Sequence, residues 1–254
     1  MVEQVPMQQP ILETKRLSKH FGALQAVHEV DFEVHRGEIH SIIGPNGAGK
    51  TTFFNLLTGF LLPTSGHIDY AGKEITGFSP HQISQLGIGR SFQIFSVFPD
   101  LSVLENVRIA IQARTKINYR FWSSLRNSGS FGEKAGEILV RIGLKDKQSV
   151  VARNLSSGEK RLLDIGIGLA TEPKLLLLDE PTSGLAGHEI SMIIGLIRAI
   201  VNPITIILIE HNIDMVLNIS DKITVFNQGS IIAEGGPEEI QNNARVQEVY
   251  LGGY

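Results

Sequence analysis

Residues Gly44 to Thr51 match the pattern G-x-x-x-x-G-K-[ST] at every fixed position. Glycines at 44, 47 and 49 let successive backbone N–H groups turn inward around an anion. A helix beginning near Gly49 adds the positive end of its dipole. Lys50 can reach terminal phosphates as a point charge, and the Thr51 hydroxyl can hold Mg²⁺. Such a turn needs a strand before it and a helix after it. Ile39, Ile42 and Ile43 supply the β-branched run. Phe53, Phe54, Leu56 and Leu57 lie at helical spacing, with Gly59 able to cap the end. Residues 38–59 therefore read as a nucleotide phosphate cradle.

A second constellation begins at LLLLDEP, 175–181. An apolar strand ending in Asp179 places a carboxylate at the carboxyl edge of a sheet, where it can join a Mg²⁺ shell. Glu180 can then polarise a water attacking a γ-phosphate, a role that typically contributes ~10²–10⁴-fold. His211 ends another apolar strand, ITIILIEH, and strand ends on one edge converge. A lone histidine there is otherwise structural. Ser156 and Glu159 suit a capping box on a helix, and Ser156 with Gly158 also suits a second anion site. Phe21 is either a core aromatic or a platform for a base. Gln93 is either a surface amide or a link from Mg²⁺ or water to whatever moves the segment it opens. Ile94, Phe95, Val97 and Phe98 read as core, or as a groove for a partner helix.

Composition narrows the alternatives. The 254 residues carry a net charge of −3, which leaves no electrostatic footprint for nucleic acid. Cysteine is absent, which excludes disulfides and Cys-ligated zinc. No basic segment followed by an apolar core opens the chain, and no apolar run approaches the ~18–20 residues that span a bilayer.

The elements that must position these groups follow in order. Residues 11–36 alternate as half-buried strands, and 65–76 form a hairpin with Ala71-Gly72 near its tip, so a small antiparallel sheet is expected. SPHQISQLGIG, from 79, suggests a short helix. Ser102 and Glu105 open a helix to about Ala113, and RNSGSFG (126–132) reads as a break before a helix reaching about 144. From 155 an α/β rhythm returns: helix 157–171, strand 174–179, helix 187–200, strand 204–210, helix 212–219 and strand 222–227. Such alternation implies a parallel sheet. Ile231 to Glu234 pairs back on the last strand, and short surface helices end the chain.

Taken together the motifs resemble an ABC-transporter ATPase subunit over nearly the whole chain. GPNGAGKTT is similar to the family's Walker A, Gln93 to its Q-loop glutamine and LSSGE to its signature. LLLLDE is similar to Walker B, SGLAGHE to the D-loop, His211 to the H-loop histidine and Phe21 to the adenine-stacking aromatic. Four residues depart from the usual pattern: Ser157 for Gly, Glu159 for Gln, Ala186 for Asp and Phe21 for Tyr. The resemblance implies an α/β fold with a RecA-like P-loop core, an antiparallel β-subdomain and an inserted α-helical subdomain. It places one ABC ATPase domain at 11–254. Core and β-subdomain take 11–90 and 155–236, the helical subdomain about 91–154, and a tail 237–254.

It further implies a Mg-dependent ATPase. ATP would be bound by Phe21, Gly44, Pro45, Asn46, Gly47, Ala48, Gly49, Lys50, Thr51, Thr52 and Gln93, together with Ser156 and Gly158 of a second subunit. Mg²⁺ would be held by Thr51, Gln93 and Asp179, and the catalytic groups would be Glu180, His211 and Lys50. The expected partners are transmembrane permease subunits, a second ATPase subunit (identical or a sister) and, indirectly, an extracytoplasmic substrate-binding protein, with no nucleic acid. The expected location is cytoplasmic, on the inner face of the cell membrane. Residues 209–243 and 246–252 resemble ATPases of branched-chain (hydrophobic) amino-acid uptake, with urea uptake and lipopolysaccharide export as alternatives. A non-transport ATPase would carry coiled coils or a second cassette, and a GTP switch would carry N-K-x-D. This chain has none of these.

Overall fold

The computed structural model describes residues 9–91, 97–114 and 124–251. The chain opens with a hairpin, β1 (Leu12–Phe21) and β2 (Leu24–Val34), after which β3 (Ile39–Ile43) leads through the glycine-rich turn into α1 (Lys50–Leu57). A second hairpin, β4 (Ser65–Tyr70) and β5 (Lys73–Glu74), is followed by α2 (Pro80–Gln85) and β6 (Ile88–Ser91). The helices α3 (Val103–Arg114) and α4 (Ser124–Arg141) precede α5 (Ser157–Leu169). Strands and helices then alternate through β7 (Leu175–Asp179), α6 (Gly187–Ile200), β8 (Thr205–Ile209), α7 (Ile213–Ile219) and β9 (Lys222–Asn227). The chain closes with β10 (Ser230–Gly235), α8 (Pro237–Gln241) and α9 (Ala244–Leu251).

Among the described residues the strands form a four-stranded antiparallel sheet, β2-β1-β4-β5, and a six-stranded sheet, β10-β9-β3-β8-β7-β6. The larger sheet is parallel from β9 to β6, with β10 antiparallel on its edge. Its central strands β3, β8 and β7 are buried at every position because both faces are covered. Leu176, Leu178, Ile206 and Leu208 pack toward α5 and α6, in one core with the helices α3 and α4. Leu175, Leu177, Ile207 and Ile209 pack on the other side with Phe53 and Phe54 of α1 and the inner face of the antiparallel sheet. Phe53 meets Phe32 edge-on at 5.2 Å and Phe226 at 5.2 Å, so one ring joins both sheets. Truncating such a buried ring costs about 3–5 kcal/mol.

Two expectations need correction. RNSGSFG is no break: α4 runs through it and ends at Arg141. The stripe Phe131, Ala135, Leu139 and Ile142 is buried against the larger core, and that burial outweighs the ~1 kcal/mol penalty of each glycine. Ile88–Ser91 is a strand on the edge of the parallel sheet, its residues paired with Leu175–Leu178. Tertiary pairing decides this, since four residues containing Gly, Arg and Ser carry little strand signal of their own. The capping box at Ser102 is half made. Ser102 Oγ accepts from Glu105 N at 3.2 Å, while the Glu105 carboxylate turns to Arg108.

Candidate nucleotide site

Parallel pairing puts three strand ends side by side. Ile42 of β3, Ile209 of β8 and Asp179 of β7 are in register. The chain therefore leaves the sheet at Gly44, Glu210 and Glu180 along one edge. The turn at 44–49 is held open by contacts that only glycine allows. A Cβ on Gly44 would lie 2.2 Å from the Phe226 carbonyl oxygen, and one on Gly49 2.3 Å from that of Ala26. The turn between β9 and β10 secures it from outside. Gly229 N donates to Ala48 O at 2.9 Å, and His28 N of β2 donates to Gly229 O at 2.8 Å.

Here a cavity of about 450 Å³ opens, lined by Phe21, Leu24, Gln25 and Ala26, by Asn46 to Thr52, and by Glu180, His211, Gln228 and Gly229. That is within the ~300–1,000 Å³ of ordinary ligand pockets. Phe21 and Leu24, at the end of the first hairpin, are exposed at its rim. Gly49 begins α1 without a side-chain cap, and no acidic residue lies in its first turn. Its N–H groups are thus left for an anion. Lys50 is buried, its Nζ donating to Gly44 O at 2.7 Å and Pro45 O at 2.9 Å. Burial lowers its pKa, and the nearby Glu180 and Asp179 oppose that shift.

Across the cavity, His211 Nε2 lies 2.7 Å from Glu180 Oε1. Glu180 has a left-handed backbone, φ 49°, a conformation that costs about 1–3 kcal/mol unless its surroundings impose it. The surroundings do. Glu180 N donates to Ile209 O at 2.9 Å, and buried Glu210 accepts from Thr182 N at 2.8 Å and Thr182 Oγ1 at 2.7 Å. Sequence reasoning passed over Glu210; its signal was a carboxylate one residue before His211 at an apolar strand end.

Asp179 is 1% exposed. Its Oδ2 accepts from Arg90 at 3.0 Å, whereas Oδ1 is buried and has no hydrogen-bond partner. Burial raises its pKa, and the Arg90 bond opposes that. An orphaned carboxylate oxygen and a hydroxyl at the start of α1 suit a small hard cation that keeps most of its waters and completes its shell with phosphate. Among the described residues no cluster of three or more His, Cys, Asp or Glu could hold a metal alone. Gln93, Ile94 and Phe95 lie outside the described residues. Val97 packs against the larger core, and Phe98 is exposed.

The start of α5 stands apart from this cavity. Ser156 caps it, accepting from Glu159 N at 3.2 Å, and Glu159 returns the bond from Ser156 N at 3.0 Å. The capping box is therefore present. Glu189 of α6 adds a further carboxylate, accepting from Gly158 N at 2.9 Å, Ser156 Oγ at 3.4 Å and Ala186 N at 3.1 Å. The backbone donors of Ala186 and Gly158 hold the Glu189 pKa below the usual carboxylate value.

The geometry agrees with what the chain resembles elsewhere. Residues 27–183 match the family model of the ABC transporter. The chain belongs to that family. Residues 230–254 of the cassette also match the model of the branched-chain amino acid ATP-binding cassette transporter. It is 41% identical to the high-affinity branched-chain amino acid transport ATP-binding protein LivG of Salmonella typhimurium, over 97% of this chain and 99% of that one. It is 39% identical to BraF of Pseudomonas aeruginosa, which bears the same description, with the same coverage. A nucleotide-free ATP-binding cassette from an ABC transporter superposes with a TM-score of 0.85 at 35% identity, covering 95% of this chain and 99% of that one. The cassette is thus a P-loop ATPase whose turnover is coupled to transport.

Proposed function

We propose that this cassette hydrolyses Mg-ATP to drive uptake of branched-chain amino acids through transmembrane permease subunits. The convergence of Lys50, Thr51, Glu180 and His211 on one cavity supports the chemistry. The match at 230–254 and the relatives' descriptions support the substrate. The N–H groups of residues 44–51 and the Lys50 ammonium bind the β- and γ-phosphates. Lys50 exchanges its two loop carbonyls for phosphate oxygens. Thr51, Asp179 and Gln93 hold Mg²⁺, which neutralises phosphate charge when bound. Phe21 stacks on the adenine. Glu180 takes the proton of the attacking water as its oxygen bonds the γ-phosphorus and the bond to the β,γ-bridging oxygen breaks. His211 holds the Glu180 carboxylate through the 2.7 Å contact and faces the γ-phosphate.

Ser156 and Gly158 of a second ATPase subunit close over the nucleotide. The pair works on the cytoplasmic side of the membrane, beside permeases supplied by an extracytoplasmic binding protein. No described helix is long and apolar enough to cross a membrane. Glu180→Gln should bind ATP with wild-type affinity, accumulate as a dimer and lose about 10²–10⁴-fold in turnover. Wild-type turnover would remove Glu180 from its role. In proteoliposomes with the permeases, leucine, isoleucine or valine should stimulate ATP hydrolysis. Stimulation by urea alone would reassign the substrate.

A further inference from the structure

One buried cation sits outside the cavity yet touches its chemistry. Arg90 lies on β6, the strand that leads directly into residues 92–96, and its side chain is only 8% exposed. One guanidinium nitrogen, Nη2, donates to Asp179 Oδ2 of β7 at 3.0 Å. The other, Nη1, donates to Asn55 Oδ1 of α1 at 2.7 Å and to Thr58 Oγ1, the residue that ends α1, at 3.0 Å. The guanidinium carbon lies 5.8 Å from the Phe54 ring centre and 5.7 Å from that of Phe60. A planar fork can hold three elements in this way, and a lysine cannot.

We propose that Arg90 is a positioning residue for Asp179. It clamps one carboxylate oxygen to the far end of the phosphate-loop helix, so that the other is presented in a single orientation to the metal of the bound nucleotide. This rests on the reading that Asp179 holds that metal. The geometry makes a specific demand. Asp179 Oδ1 is buried without a partner, and a partial rotation about the terminal torsion of the side chain would turn it away from the edge of the sheet. That torsion is broad for aspartate. The Arg90 bond on Oδ2, braced by Asn55 and Thr58, removes the freedom. Arg161 lies close enough to favour the Asp179 charge, but it does not bond Oδ1. Arg90 also borders the groove lined by Phe60, His81, Ile83, Asp164 and Ile167. A single side chain therefore spans from that groove to the nucleotide edge of the sheet.

The test separates metal-dependent from metal-independent binding. Affinity for a fluorescent, non-hydrolysable ATP analogue is measured in Mg²⁺ and in EDTA, for the full chain and its variants. For Arg90→Met the affinity in EDTA should stay within about twofold of wild type, while the enhancement by Mg²⁺ falls about 10- to 100-fold, the usual cost of losing a partner that orients a metal ligand. Arg90→Lys should restore part of it, and Asn55→Ala, which unbraces the fork, should lose a few-fold. A folded Arg90→Met with wild-type Mg²⁺ enhancement overturns the proposal. So does an equal loss with and without Mg²⁺, which marks a merely structural role. If Arg90→Met does not fold, unchanged enhancement in both Arg90→Lys and Asn55→Ala overturns it instead. Asp179→Asn separates the two levels. If that variant keeps the enhancement, the reading of Asp179 fails. If it loses the enhancement while Arg90→Met keeps it, only the role of Arg90 fails.

Discussion

Two helix starts, those of α1 and α5, look alike on paper and differ in space. Each follows a short stretch rich in Gly or Ser, and each can present N–H groups to an anion. The start of α1 has no side-chain cap and no acid in its first turn, and it faces a cavity. The start of α5 has a closed capping box, Glu159 in its first turn and Glu189 on Gly158 N. The first keeps its donors for a ligand, while the second satisfies them within the chain. The difference teaches that one site is pre-formed in a single subunit. The other has its Gly158 donor occupied by Glu189, and the proposed anion site there requires Glu189 to be displaced. In the proposed dimer the nucleotide of the partner subunit displaces it.

The contrast can be broken most forcefully at Lys50. Lys50→Ala removes the charge that is proposed to cross from loop carbonyls to phosphate. ATP affinity should fall about 10- to 100-fold, the worth of hydrogen bonds to a charged group of roughly 1.5–3 kcal/mol. Equilibrium binding to the single subunit checks this, and an unchanged affinity would mean that α1 is no more an anion site than α5. Ser156→Ala should do the reverse. It removes a cap of about 1 kcal/mol and lowers the melting temperature by roughly 2–4 °C, while single-subunit ATP affinity stays at wild type.

Glu189→Gln sharpens the comparison from the other side. In a Glu180→Gln background it should shift the ATP-driven monomer–dimer equilibrium a few-fold toward dimer, read by light scattering. A shift toward monomer would show that Glu189 supports closure. The pH dependence has a definite sign. A carboxylate whose folded pKa is depressed contributes stability above its unfolded pKa, and loses it as pH falls through the folded value. The Glu189 brace is therefore intact at neutral pH and released only in acid. The smallest effect belongs to the rim of the α1 site. Phe21→Tyr should leave ATP affinity within about twofold, since stacking needs only a ring face.

Legibility followed the range of the interaction. The phosphate loop, the strand–helix rhythm after 155 and the hairpin tip at Ala71-Gly72 were readable because neighbours in sequence determine them. Ala71 and Gly72 both have positive φ, at 51° and 78°, as a tight hairpin turn requires. The helix at 187–200 and the strand at 222–227 fall where the pattern put them. The α4 helix was misread because a local penalty, several glycines, was weighed without the core that overrides it. The β6 strand was missed because only its neighbour β7 makes it a strand. Arg90 went unmarked for the same reason: a lone arginine in a short apolar stretch looks solvated until two other elements, α1 and β7, are seen to close on it.

From the order of residues alone came the chemistry available to this protein: a loop able to wrap a phosphate, a carboxylate pair ending a strand, a histidine ending another. Backbone conformation and side-chain type settle these within a few residues. Tertiary structure alone decided which of these groups meet. It set β8 between β3 and β7, and β6 on the far side of β7, so that His211 reaches Glu180 across 31 residues and Arg90 reaches Asp179 across 89. The strands IHSII, LLLLD and TIILI are all buried throughout. His40 of β3 marks one neighbour, its Nε2 lying 2.7 Å from Thr224 Oγ1 of β9, but the strands alone do not encode the rest of their order. That order is set by the helices packed on either face of the sheet, and with it the identity of the neighbours at its edge.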